Sequence, residues 1–163
     1  MITHDPTEAF LLADEIHVIE NGAITQLGTA DELRLRPRTQ YVADLAGSNL
    51  VHGIASDGLI DTGRQLVHIA DHTISGPVLA TIRPSAISVH LQKPGGSPRN
   101  SWATTIDLVE RLGERTRLRF GEPLPLTAEI TEDATRALNA IEGAGVWISI
   151  KATEIDVQAD HQR

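Results

Sequence analysis

Apolar and polar positions along this chain follow two different periods, and the change falls near residue 47. Before that point, short runs with helical spacing surround a pair of strand-like runs. Asp5, Pro6 and Glu8 mark a helix start. An Asp accepts from the free N–H groups of a first turn, Pro suits the first helical position, and Glu three residues after the cap completes a capping-box spacing. Ala9, Leu12 and Ala13 then give one apolar face. Residues 15–19 and 23–27 are predicted strands, joined by Asn21-Gly22, a dipeptide that tolerates the positive φ angles of a tight hairpin. Thr29 and Glu32 form a second capping box, opening a helix that should end before Pro37. Residues 39–46 form a third short helix, stopped by Gly47.

Beyond residue 47, alternation with period two takes over. Residues 50–55, 65–70, 78–82 and 87–91 are predicted strands, separated by the turn pairs Asp57-Gly58, Thr62-Gly63 and Gly76-Pro77. Lys93-Pro94-Gly95-Gly96-Ser97-Pro98 is the clearest loop. Strands follow over residues 102–112, 116–120, 126–130 and 146–152, interrupted by a helix over 132–141 that Thr131 can cap and whose positive end suits Glu132 and Asp133. The predicted fold is mostly β with some α. Residues 1–47 supply a helix, a hairpin and short helices, and residues 48–163 a small, partly open β-barrel of the oligonucleotide/oligosaccharide-binding type. The β region shows no close sequence repeat, only two β-rich halves of similar length.

Composition narrows what such a protein does. The five aromatic residues are Phe10, Tyr41, Trp102, Phe120 and Trp147, so the core must be built from Ile, Leu, Val and Ala. A formal charge of −8 argues against general nucleic-acid binding, which needs clustered cations to displace counterions. The charge is uneven: residues 1–47 carry eight acids against three bases. With no cysteine, disulfides and thiolate metal sites are excluded, which fits a cytoplasmic location. No apolar run approaches the roughly 18 residues that span a bilayer, so any membrane link is expected to pass through a partner.

The run THDPTEAFLLADEIHVIENGAITQLGTADELRLRPRTQYVADLAG (residues 3–47) resembles the last segment of the nucleotide-binding subunit of ABC importers. There a strand delivers a "TH-D" switch histidine, followed by a helix, a hairpin and a short helical tail. The resemblance places His4 on the switch histidine, which in the family contacts the terminal phosphate of ATP. The segment therefore reads as the end of a catalytic domain whose beginning is absent. No G-x-x-x-x-G-K-[ST] loop occurs, and Lys93 and Lys151, the only lysines, do not follow a glycine-rich loop. An Asp-Glu strand end before His4 and an LSGGQ-like signature are absent as well. Phosphoryl transfer depends on those parts for positioning and charge stabilisation. ATP and Mg thus belong to the full-length family member, and this chain alone should not hydrolyse ATP.

A second resemblance lies in the β region. TIRPSAISVH (residues 81–90) is similar to a strand of the accessory barrel, of the TOBE/Mop type, that follows the ATPase in many importer subunits. SPRN (97–100) and IKATEIDV (150–157) are similar to the paired motifs of molybdate-binding barrel modules. This implies an oxyanion site at Ser97, Arg99, Asn100 and Lys151, with molybdate as ligand. A tetrahedral dianion needs hydrogen-bond donors from several directions and positive charge, which hydroxyl, amide and ammonium groups supply. The same residues also read as solvated surface charges and a turn-holding Asn. Pro98 and Ala152 depart from the usual pattern, removing an N–H and a hydroxyl. Two short segments are few to surround a dianion, so the expectation is a site completed between copies.

The remaining clusters carry less. His68, Asp71 and His72 lack a fourth ligand, so no metal is expected. Arg111, Arg115, Arg117 and Arg119 read as the solvent face of a hairpin. No recognisable Ser–His–Asp set exists, and Glu132 with Asp133 belongs to a helix start. The resulting expectation is the C-terminal portion of the ATP-binding subunit of a molybdate importer. Its partners would be a second copy and the transmembrane permease subunits, and its place the inner face of the membrane. The alternatives are a stand-alone anion-binding or storage module, the tail of a sugar- or sulfate-type subunit, or a purely structural dimerisation barrel.

Overall fold

The computed structural model describes residues 2–160. Its first helix, α1 (Pro6–Leu12), is capped by Asp5, whose carboxylate accepts from Thr7 N at 2.8 Å and Glu8 N at 3.4 Å. The expected reciprocal box takes another form. Glu8 accepts from the Thr3 hydroxyl at 2.8 Å, and that hydroxyl accepts from Asp5 N at 3.1 Å, so Thr3 stands between cap and acid. Strands β1 (Ile16–Glu20) and β2 (Ala23–Gly28) form a hairpin whose turn residues Asn21 and Gly22 have φ of 50° and 81°. Both arms of the Thr29–Glu32 capping box open α2 (Ala30–Leu35). Helix α3 (Gln40–Ala46) begins at the Thr39 cap and ends at Gly47, whose left-handed φ of 68° a side chain would strain.

The rest is strand. In order come β3 (Asn49–Ser56), β4 (Leu59–Asp61), β5 (Leu66–His68), β6 (Gly76–Ile82), a 3-10 turn (Pro84–Ala86) and β7 (Ser88–His90). Then follow β8 (Asn100–Leu112), β9 (Arg115–Phe120), β10 (Leu126–Thr131), α4 (Glu132–Ala137), β11 (Gly145–Ile150), a 3-10 turn (Ala152–Glu154) and β12 (Ile155–Ala159). They build two antiparallel five-stranded sheets, ordered β5-β4-β3-β6-β12 and β10-β9-β8-β11-β7. The halves of the β region are thus built alike, and each sends its last strand to the other's sheet. Both departures run through a 3-10 turn, and at the first Pro84, lacking an N–H, is well suited to leaving the β6 ladder.

One apolar core lies between the sheets. Ile60, Val67, Val78 and Ile82 from one meet Ile106, Leu118, Phe120 and Ile148 from the other, all at most 3% exposed. Truncating a fully buried Ile such as Ile148 to Ala costs about 2–5 kcal/mol. Residues before Gly47 have a much smaller core of Val18, Leu33 and Val42. They dock on the β region through Ala43 packed against Leu50 and Leu79, and through Gln158 Nε2 donating to Pro37 O at 2.9 Å.

The mostly β architecture with some helix agrees with the pattern of the sequence, and four elements differ. The strands β4 and β12 were not anticipated. The helix expected over 132–141 stops at Ala137, where Asn139 turns to a φ of 46° and Ala140 N bonds back to Thr135 O. The strand expected through residue 152 ends at Ile150, because Lys151 caps a 3-10 turn.

Candidate functional site

The exchange of last strands brings the two 3-10 turns together. Arg83 ends the run of β6 and Lys151 that of β11, and Arg83 Nη2 reaches Glu154 Oε2 of the opposite turn at 3.0 Å. Between them opens a polar cleft of about 320 Å3. Its wall carries Arg83, Ser85, Ser88, Pro98, Ser149, Lys151 and Glu154. Ser88 and Ser149 are cross-strand partners of β7 and β11, and the Ser149 hydroxyl lies 2.9 Å from His90 Nε2.

The two cations of this cleft differ. Glu154 neutralises Arg83, whereas Lys151 is exposed and has no ion-pair partner among the described residues. An ammonium with three rotatable donors, beside hydroxyls that donate or accept, is a donor set for a compact anion.

Of the residues singled out in the sequence, Lys151 lines the cleft and the 97–100 motif reaches it through Pro98. Ser97 and Arg99 are exposed on either side of Pro98 and are not part of the wall. Asn100 is 2% exposed, and its side chain is engaged elsewhere. Its Oδ1 accepts from His68 N at 2.7 Å and its Nδ2 donates to His68 O at 2.9 Å. His4 is exposed on a wider groove of about 760 Å3 in the N-terminal segment, shared with Phe10, Ile16 and Tyr41. The sequence reading missed Arg83, Ser85, Ser88, Ser149 and Glu154. The signal was present: residues 82–89 (IRPSAISV) and 150–157 (IKATEIDV) share Ile, a cation, a hydroxyl, Ile and Val at equal spacing.

The other clusters are accounted for locally. No group of three His, Cys, Asp or Glu that could hold a metal occurs among the described residues. Asp71 accepts from the hydroxyl and N–H of Thr73, which hold its carboxyl below the usual range. Arg115 and Arg117 pair with Glu129, and Arg119 with Glu110, on the outer face of β8–β10. No helix among the described residues is long and apolar enough to cross a membrane.

Residues 96–157 match the TOBE domain family. The matched stretch is the second half of the duplicated β region. Over 99% of its length the chain is 34% identical to the molybdenum import ATP-binding protein ModC of Mycobacterium tuberculosis, of which it covers 47%. It is 27% identical over 96% of its length to the molybdate/tungstate import ATP-binding protein WtpC of Pyrococcus horikoshii, covering 46% of that protein. The chain spans about half the length of the curated relatives it matches. In fold it resembles the cytoplasmic molybdate-binding protein ModG, crystallised with molybdate bound, with a TM-score of 0.58 at 17% identity over 68% of this chain and 95% of that one. A TOBE match at residues 96–157 and similarity along nearly the whole chain relate this protein to the C-terminal part of molybdenum-import ATP-binding proteins.

Proposed function

We propose that the chain acts as the C-terminal part of the ATP-binding subunit of a molybdate importer, and that its β region binds a tetrahedral oxyanion in the cleft between Arg83 and Lys151. The observation that carries this is Lys151, without an ion-pair partner among the described residues, in a hydroxyl-lined cleft whose other cation is already neutralised. Lys151 supplies charge-assisted hydrogen bonds. Ser85, Ser88 and Ser149 supply hydroxyls, and Ser97 and Arg99 contribute from the rim. Asn100 is a positioning residue that ties the motif to β5. Molybdate, as a dianion with four acceptor oxygens, matches this donor set.

On the same reading, residues 1–47 are the end of the ATP-binding domain and residues 48–163 its accessory barrel. In the whole subunit His4 senses the terminal phosphate of ATP, with Mg and the other phosphate ligands supplied by that domain. The subunit pairs with a second copy and with permease subunits, on the cytoplasmic face of the membrane. Within one chain the first motif reaches the cleft only through Pro98, so a second copy completes the site and binding should depend on protein concentration as well as on anion concentration.

Titration calorimetry with molybdate, tungstate and sulfate tests the reading. Pro98 and Ala152 leave the shell short of donors, so the affinity should be micromolar. Lys151→Ala removes a contact of about 1.5–3 kcal/mol and should weaken binding roughly tenfold to a hundredfold. No heat with any of the three anions would leave the barrel a structural role only.

A further inference from the structure

The anion cleft has a counterpart within the same chain. A shift of five strands turns the sheet order β5-β4-β3-β6-β12 into β10-β9-β8-β11-β7. Residues 81–90 and 149–158 repeat one succession of buried, half-buried and exposed positions, residue for residue. Each begins on a strand end, passes through a three-residue 3-10 turn and enters a strand paired with the opposite sheet. The register makes the correspondence specific. Ser149 pairs with Ser88 across β11 and β7, and Thr81 pairs with Asp156 across β6 and β12. Arg83 therefore corresponds to Lys151, and Asp156 to Ser88.

The chemistry at the two positions is opposed. Beside Lys151, the exposed strand position is a neutral hydroxyl, Ser88. Beside Arg83, it is the carboxylate of Asp156, and the guanidinium itself is engaged by Glu154 at 3.0 Å. The approach differs as well. Ser97 and Pro98 lie on a glycine-rich loop, whereas the corresponding Ala46 and Gly47 terminate α3. A fully deprotonated dianion offers only acceptors, so a facing carboxylate gives it neither a hydrogen bond nor compensating charge.

We infer that the chain takes one dianion and not two: the Lys151 side of the duplicated fold is the competent site, and Asp156 closes its equivalent on the Arg83 side, where Glu154 also occupies the guanidinium. This rests on the oxyanion reading above and adds its stoichiometry and the residues that set it.

Molybdate titration of the full chain and two variants tests the asymmetry. Wild type should bind one equivalent. Ser88→Asp, which copies the closed side onto the open one, should weaken that equivalent at least tenfold. The double variant Asp156→Ser, Glu154→Ala should gain a second. Ser88 and Asp156 are both exposed, and matching melting curves will show that the variants fold. Two equivalents in wild type, an equivalent indifferent to Ser88→Asp, or a double variant still limited to one would overturn the asymmetry and leave oxyanion binding standing. No binding by any of the three proteins would overturn both.

Discussion

Asn49 and Asn100 perform the same task on opposite sheets. Asn49 opens β3, accepts from Thr127 N at 2.6 Å and donates to Thr127 O at 2.9 Å and Ile82 O at 3.1 Å. Asn100 opens β8 and grips both backbone groups of His68 at 2.7 and 2.9 Å. Thr127 lies on β10 and His68 on β5, each an edge strand of the sheet the asparagine does not belong to. An edge strand carries backbone groups without a ladder partner. Each asparagine satisfies two of them and ties one sheet to the other.

Removing either clamp should therefore destabilise the barrel. Asn49→Ala and Asn100→Ala each lose at least two hydrogen bonds and leave backbone groups without their partner, a cost of about 2–4 kcal/mol. The clamps share no partner, so the double variant should show the sum to within about 0.5 kcal/mol. Urea denaturation measures both. A change under about 0.5 kcal/mol in either single variant would reduce these contacts to passive ones.

Mg-ATP at millimolar concentration should leave the melting temperature of this chain unchanged. The sequence has no G-x-x-x-x-G-K-[ST] loop to cradle phosphates. A ligand present at a hundred times its Kd would add about 2.7 kcal/mol. A reproducible rise in the transition would show a nucleotide site built from other groups.

The N-terminal segment should open before the barrel. Its buried cluster consists of Val18, Leu33 and Val42, while Leu11, Leu12, Ile24 and Leu27 are all more than half exposed. So small a core supports local opening well below the global free energy. Amide exchange should be faster in β1 and β2 than in β11, and protease should cut before Gly47 first. Equal protection of the hairpin and β11 in a monomer would contradict this.

Acid should release the start of α2. The N–H and then the hydroxyl of Thr29 hold the Glu32 carboxyl below its ordinary value. A carboxylate with a depressed folded pKa stabilises above its unfolded pKa, and that contribution disappears as pH falls through the folded value. Exchange of the first α2 amides should therefore rise with acidity just below the normal carboxylate range. In Glu32→Gln this rise should be absent. A side-chain titration of Glu32 at the unperturbed value would dispose of the prediction.

Local rules made much of this protein legible in advance. Asn21-Gly22, the Thr29–Glu32 box and Gly47 specify their turn, cap and stop by φ preference and neighbouring hydrogen bonds, and all three are found as expected. The strands with strict alternation also emerged, to within a few residues. Lys151 was legible as an exposed cation in a motif. What escaped is non-local: β12 has an ordinary sequence, and its identity as a strand depends on β6 being free to receive it.

The sequence by itself determined the mostly β composition, the change of period near residue 47, the helix boundaries before it and the two short motifs that carry the family resemblance. These depend on side-chain chemistry acting over a few residues. Only the tertiary structure decided that Pro98 and Lys151, one from each motif, line one cleft, that Asn100 is a clamp between sheets, and that Glu154 neutralises Arg83 while Lys151 has no ion-pair partner among the described residues. Those outcomes follow from exchanging the last strand of each half. Strand exchange depends on hydrogen-bonding edges far apart in sequence, for which no local pattern codes.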